Sequence, residues 1–460
     1  MGRLADPDHL GETDREAARP DQARLALILL GFIVVLVCFF AWNLWAPRRD
    51  PQIDAIRAEG YPVTLKELDQ WYQRPPDAEN AALIYTNAFA TISTASNVFD
   101  QITGWTPPKR GQSISTEDKD YFNALLATNR ELLALLDSAA ALPHSRYPVD
   151  MTVGPDFHVS HLAPIKGGVM ILTARASLET ADGDLEAATR SFSSAEHLTG
   201  SLSGEPLFIS QLVECACWGV VSKRLEWSLN ATNFDSDHLE RLQRMFAAAE
   251  NKPFYRCLVG ERVCGYSVFS DAKSQATLFA NPFAPPTSGD RLKAQLVFSA
   301  LKAAGLFRKD KSFFLDRMSN LIAVAKLPYP DRFTASQNLS FVPPNKFYLM
   351  SGMLLPALSK SILRDANRAA TISVAETALA IERFRRANSN SLPESLAQLV
   401  PTYLPAVPAD PFDGKPLRFR KRGQGYVVYS VGSDLQDDGG AEHDSKKTGV
   451  RSDITFILDH

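Results

Sequence analysis

Apolar positions run almost unbroken from Leu25 to Ala46, LALILLGFIVVLVCFFAWNLWA, with Asn43 the only strongly polar side chain among them. A helix rises about 1.5 Å per residue, so roughly twenty such residues cross a hydrocarbon layer of about 30 Å. Trp42 and Trp45 stand at one end, where indole rings favour the membrane interface, and Pro47, Arg48, Arg49 and Asp50 stop the run. A core helix of this length seldom stays apolar on every face. The pattern therefore predicts one N-terminal transmembrane helix over 25–46. A cleaved signal peptide has a core of about 7–15 residues and small residues at the cut. The exit here, Leu44-Trp45-Ala46, is too bulky, so the span is expected to stay attached. Arg15, Arg19 and Arg24 before it nearly balance Arg48, Arg49 and Arg57 after it, so flanking charge hardly sets the orientation. A signal anchor followed by a long domain exports that domain. Residues 1–24 are then expected as a disordered cytoplasmic head, with the soluble region periplasmic and the chain single-pass in the inner membrane.

From Pro75 to Lys326 the spacing of apolar positions is helical. Asp77 is expected to cap a segment carrying Ala81, Ala82, Tyr85, Ala88 and Phe89. Thr116, with Glu117 and Asp118 behind it, starts a long helix in which Phe122, Leu125, Leu126, Leu132, Leu133 and Leu136 recur at threes and fours. Tyr147–His158 reads as a loop. Helices follow near 162–180, 185–201, 207–229, 236–250 and 253–274, with breaks at Asn281–Gly289 and Leu327–Asn345, both rich in proline. The C-terminal part changes period. A helix over Leu355–Ala387 and a short one from Leu392 towards Pro401 precede strands at 417–421, 426–431 and 453–458. Asp413-Gly414 and Gly423-Gln424-Gly425 supply turn residues. The fold class expected is mainly α: a transmembrane helix, an irregular α-helical body over 51–345, and a small C-terminal α+β module with an antiparallel sheet over 346–460.

A chain of 460 residues, 45% hydrophobic and 22% charged, can bury a large core, and its net charge of −3 gives no reason to expect a nucleic-acid partner. Of five cysteines, Cys38 lies in the span, while Cys215 with Cys217 and Cys257 with Cys264 fall on two predicted helices. Buried free thiols and disulfides between those helices are both open. Zinc is not, because neither pair has C-x2-C spacing.

Two stretches resemble known families. Gly183-Asp184 followed by Ala188, Phe192, Ala195 and Leu198 resembles one tetratricopeptide hairpin. No second set follows at the repeat step, so the likeness implies a helix-packing solution rather than a peptide-binding array. Leu379-Ala380-Ile381-Glu382-Arg383-Phe384, LPESLAQLVP, DPFDGKPLRF, YVVYSVGSD and SDITF resemble, in that order, the soluble domain of major pseudopilins of type II secretion. Roughly the last fifth of the chain is covered. Here some 300 residues separate the span from that module. Leu36 stands where a prepilin peptidase site needs Glu, so processing as a pilin subunit is excluded. The whole chain is also similar to membrane-anchored proteins of planctomycete-type bacteria, a likeness that implies no activity. The pseudopilin resemblance implies calcium in the loop after YSVGSD, held by the Val431 carbonyl and the Asp434 carboxylate, with Asp437 and Asp438 close by. Calcium takes six to eight such oxygens. A solvated acidic turn is the alternative.

Other candidates are weaker. His158 and His161 form H-x2-H beside Asp156, where capping and packing compete with metal binding. Glu261-Arg262 reads as an ion pair. No local catalytic motif is present and no residue set is identified as catalytic. The sequence thus leads to a noncatalytic, membrane-anchored interaction or scaffold protein of the cell envelope, with secretion as a possible context. Its expected partners are the lipid bilayer and an envelope protein. The alternative is an exported hydrolase with its site in the helical body.

Overall fold

The computed structural model describes residues 27–35, 50–92, 102, 105, 108–250, 252–277, 287–442 and 453–460. They divide into two units, Met1–Pro51 and Gln52–His460. In the first, residues 27–35 are helical, and every large apolar side chain of that stretch is more than half exposed. The head 1–24 and the rest of the apolar run, with Cys38, Trp42 and Trp45, lie outside the described residues. Among the described residues no helix is long and apolar enough to cross a membrane.

The second unit is mainly helical. After α1 (Pro51–Ala58), a capping box opens α2 (Leu65–Trp71): Thr64 Oγ1 accepts from the Glu67 amide and the Glu67 carboxylate accepts from the Thr64 amide, both at 3.2 Å. Asn80, not Asp77, caps α3 (Ala81–Ala90); its side chain accepts from the Ala82 amide, and Asp77 falls in a 3-10 turn. The long helix expected after Thr116 is two, α4 (Thr116–Thr128), capped by Ser115, and α5 (Arg130–Ala139). Asn129 divides them, its amide nitrogen turning back to the Leu125 carbonyl at 2.8 Å, a local bond that competes with the helical ladder.

The middle of the body holds α6 (Leu162–Ala181), α7 (Leu185–Gly200), α8 (Phe208–Ala231) and α9 (Ser236–Glu250). The helix expected through Ser274 stops early. Extended backbone at Asp271 splits it into α10 (Tyr255–Ser270) and α11 (Ala272–Thr277), and the Asp271 carboxylate caps the second by accepting from the Ser274 amide at 2.7 Å. Then come α12 (Ser288–Ala303) and α13 (Leu306–Ala325). Most of the break expected at 281–289 lies outside the described residues. The break at 327–345 contains a short helix, α14 (Asp331–Gln337), before α15 (Leu349–Leu354) and the 27-residue α16 (Ser361–Ala387).

Three antiparallel strands end the chain in the order β1 (Arg418–Arg422), β2 (Gly425–Ser430), β3 (Ile454–Leu458). Arg418 pairs with Tyr429 and Tyr426 with Leu458. The outer edge of β3 is sealed by α8. Asn230 donates to the Ile457 carbonyl at 2.8 Å and accepts from the Asp459 amide at 2.9 Å, while Glu226 accepts from the Ile457 amide at 3.2 Å. The opposite edge, β1, is guarded by charge in Arg418, Arg420, Lys421 and Arg422. One hydrophobic core runs from the body (Leu68, Phe122, Phe192, Trp218, Phe246) through Ile372 and Leu379 of α16 to Tyr426, Val428 and Phe456 of the sheet. A second joins Ile53 and Ile56 of α1 to Phe314, Leu315 and Met318 of α13 and to Met350.

Candidate functional site

Gly183 ends the α6 turn at φ +83°, a left-handed value suited to glycine, and Asp184 caps α7 by accepting from the Ala187 amide at 3.0 Å. These two residues close the α6–α7 hairpin. Ala188, Phe192, Ala195 and Leu198 turn inward and are fully buried. The other face of α7, with Ser193, Glu196, His197 and Gly200, is left to line a cleft of about 830 Å3. The turn after α5, Ala140–Ser145, forms one wall and α9 forms another, and Lys252 lies at the end of α9.

The lining is about half apolar, and its ionisable side chains are mostly basic: His144, His197, Arg241, Arg244 and Lys252 against the single acid Glu196. Arg241 is held by Glu186 at 2.6 Å and Arg244 by Glu240 at 2.9 Å. Burial pushes the Glu196 carboxyl up, and its neighbours His197 and Lys252 pull it back. His197 Nδ1 lies 2.9 Å from the Ser193 carbonyl and 3.1 Å from Glu196 Oε2. Tyr85 also lines the cleft. It is 1% exposed, its hydroxyl has no hydrogen-bond partner, and burial, then Glu196 and Asp137, raise its pKa.

The sequence candidates fall in different places. His161 is buried, stacks on Tyr147 at 4.3 Å and pairs through Nε2 with Glu205 Oε2 at 2.9 Å, a packing role in the core. His158 is exposed and outside that pair, and the Asp156 side chain lies outside the described ones. Glu261 and Arg262 do not form the ion pair expected of them. Glu261 accepts from the Phe208 amide at 2.9 Å and so caps α8, whose N-cap Leu207 has no side-chain acceptor. Arg262 lies over the Tyr61 ring at 5.6 Å. Cys215, Cys217, Cys257 and Cys264 are free thiols, with burial pushing the first two up to about 12.

In the acidic loop Val431 is buried and its amide donates to Asp410 at 2.9 Å. Asp434 ends a 3-10 turn and accepts from the Gln436 amide at 3.2 Å. Asp437 accepts from the Tyr429 hydroxyl and the Gly439 amide, both at 2.9 Å. Burial, and then the charges of Asp438 and Asp437, raise the carboxyl of Asp453, whose Oδ1 is buried without a partner. Asp437, Asp438 and Asp453 therefore share one neighbourhood. The donors are hard oxygens of the kind calcium takes, yet among the described residues no three acidic, histidine or cysteine groups gather into a metal-binding set.

Sequence reasoning missed a buried network at Asp365, which is fully buried on α16. Asp365 accepts from Tyr329 at 2.7 Å, Arg332 at 2.6 Å and Arg368 at 3.1 Å. Arg368 and Arg332 also line a second cavity of about 440 Å3 with Lys252, Lys326 and Tyr255. The Asp365–Arg368 spacing of one helical turn was visible in the sequence, whereas the partners some 33 residues earlier had no local signal. Comparison with known proteins finds no matching family model, no similar curated protein and no similar solved structure.

Proposed function

We propose that this chain is a noncatalytic, membrane-anchored protein of the cell envelope that engages an acidic segment of a partner protein in the cleft between α7 and α9. The observation that carries this reading is the lining itself, a groove of about 830 Å3 in which Ala140, Ala141, Gly200 and Ala248 stand among Arg241, Arg244, Lys252 and two histidines. Small side chains let a peptide backbone approach, and positive charge selects and steers an acidic one. The exposed apolar helix over 27–35 supports an inner-membrane anchor spanning 25–46, with the rest of the chain on the periplasmic side. The helix and three strands at the C-terminus support reuse of a pseudopilin-like module in a secretion-related setting. In the same proposal the loop Val431–Gly440 takes calcium. Asp437 and Asp438 would hold it, and Asp453, Asp434 and the Val431 carbonyl would supply further oxygens. The ion would neutralise the grouped carboxylates.

Photo-cross-linking of the full chain in its own membranes tests the cleft. A photoreactive side chain in place of Ser193 should yield a discrete adduct, and the double substitution Arg244→Glu, Lys252→Glu should abolish it. An adduct indifferent to that charge reversal, or equally strong from Tyr121 outside the cleft, would overturn the reading.

A further inference from the structure

Single exposed apolar side chains are ordinary on a protein surface, but a contiguous group of them is not. Between Val342 and Met353 four large ones face out: Val342 is 77% exposed, Phe347 52%, Leu349 40% and Met353 55%. The segment that carries them is firmly seated. The buried Asp310 carboxylate on α13 accepts from the Met350 amide at 2.8 Å and the Ser351 amide at 3.1 Å, satisfying the N-terminus of α15. Tyr348 packs edge-on to Phe313 at 5.1 Å, and Met350 and Leu355 enter the core. With that side held down, Leu349 and Met353, one turn apart, share the outer side of α15. The preceding loop folds back on the helix, since a Cβ at Gly352 would lie 3.7 Å from Pro343. That brings Val342, next to Pro343 in the chain, towards Met353.

The segment that carries this face holds only positive charge. No acidic residue occurs between Asp331 and Asp365, whereas Lys346 and Lys360 flank the apolar group, and Arg308 and Lys309 are exposed on α13 just before Asp310. Lys346 lies over the Phe347 ring at 5.9 Å, so cation and apolar anchor stand together.

The place where the chain enters this unit adds the third observation. Gln52 donates to Asp316 on α13 at 2.6 Å, and Ile53 and Ile56 are buried in the same core as Met350 and Leu355. Asp310 to Asp316 spans six residues of helix, about 9 Å. Six residues also separate Ala46, the end of the apolar run, from Gln52, at most about 20 Å when fully extended. A tether that short holds this part of α13 at high effective concentration near whatever surface the run occupies.

We infer that the face formed by Val342, Phe347, Leu349 and Met353, with Lys346 and Lys309 beside it, docks on the anionic headgroup surface of the bilayer. The apolar side chains enter the boundary between headgroups and acyl chains and the lysines pair with lipid phosphates. The body then lies against the membrane. This inference rests on the transmembrane reading of residues 25–46.

The full chain is reconstituted in vesicles of phosphatidylcholine alone and of phosphatidylcholine mixed two to one with phosphatidylglycerol. Phe347→Trp reports the face through quenching by lipids brominated near the headgroup, read as the difference from the parent chain, and Met353→Trp serves as a second reporter. In the anionic vesicles the added emission should fall by about half, and Lys346→Glu with Lys309→Glu should restore it. No added quenching from either reporter, in a chain that stays with the vesicles through alkaline carbonate, overturns the docking face and leaves the anchor standing. The same silence with a cross-linked dimer assigns the face to a second copy and equally overturns it. Release of the chain by carbonate overturns the anchor, and with it the premise of this inference.

Discussion

Glu376 lies on α16 with 6% of its surface exposed, and burial, followed by the negative charge of Glu250, lifts its carboxyl from the usual 4.5 to about 7. Below 4.5 both folded and unfolded chains hold the proton. Between 4.5 and 7 only the folded chain does, so stability falls as pH rises, and above 7 the loss is complete. Glu376→Gln cannot titrate. Its melting temperature should match the parent at pH 4 and exceed it at pH 8; curves that stay parallel across that range would show that Glu376 is not the source. In the acidic loop, Asp437 and Asp438 crowd the buried Asp453. If calcium relieves that repulsion, a calcium concentration a hundred times Kd stabilises the full chain by about 2.7 kcal/mol. Asp437→Asn should remove the effect, and calorimetry that registers no calcium heat on the parent chain would leave a solvated turn. Asp434, Asp437 and Asp438 were legible because they fall within five residues of one another. Asp453 was not, since only folding brings it beside them.

At the scale of elements, α10 shows what periodicity cannot reveal. A Cβ at Gly260 would collide with the Pro206 carbonyl, and one at Gly265 with the Phe314 ring, so α10 touches its neighbours through backbone. Gly219 on α8 has nothing within 4 Å. Two identical substitutions should therefore diverge. Gly219→Ala should stabilise by about 0.5–1 kcal/mol through helix propensity, whereas Gly260→Ala should destabilise by about 1–3 kcal/mol or more because backbone must move. Urea denaturation reads both, and equal effects would refute the close approach. The spacing of apolar positions located the helices well, since burying one face every 3.6 residues is what makes them form. Their ends were less legible where a cap is decided by geometry: Asn80 took the cap expected of Asp77, and Asn129 divided a helix whose apolar pattern continues across it. Phe384, which the pattern places in the core, is only half-buried against Tyr403 at 5.9 Å, while Ile381 one turn earlier is fully buried.

At the scale of the molecule, the body and the C-terminal strands share a core that no local pattern announces, because α16 meets both α9 and β3. The proposed anchor puts this unit on one side of a membrane, and a direct measurement tests which. A reporter enzyme active only in the periplasm, fused after His460 through a flexible linker, should be active, and activity from a cytoplasm-only reporter there would reverse the proposed orientation. The seal that α8 places on β3 has a consequence in time. Asn230 and Glu226 meet their strand partners only 227 and 231 residues later. At about 5–20 residues per second, synthesis takes on the order of 10–45 s to cover that interval. Throughout it the side of α8 that β3 will cover lies open, beside a two-stranded ribbon once β2 has emerged. A chain cut short before Ile454 would keep that surface open permanently, so chaperones and proteases can tell a finished molecule from an unfinished one by a single strand.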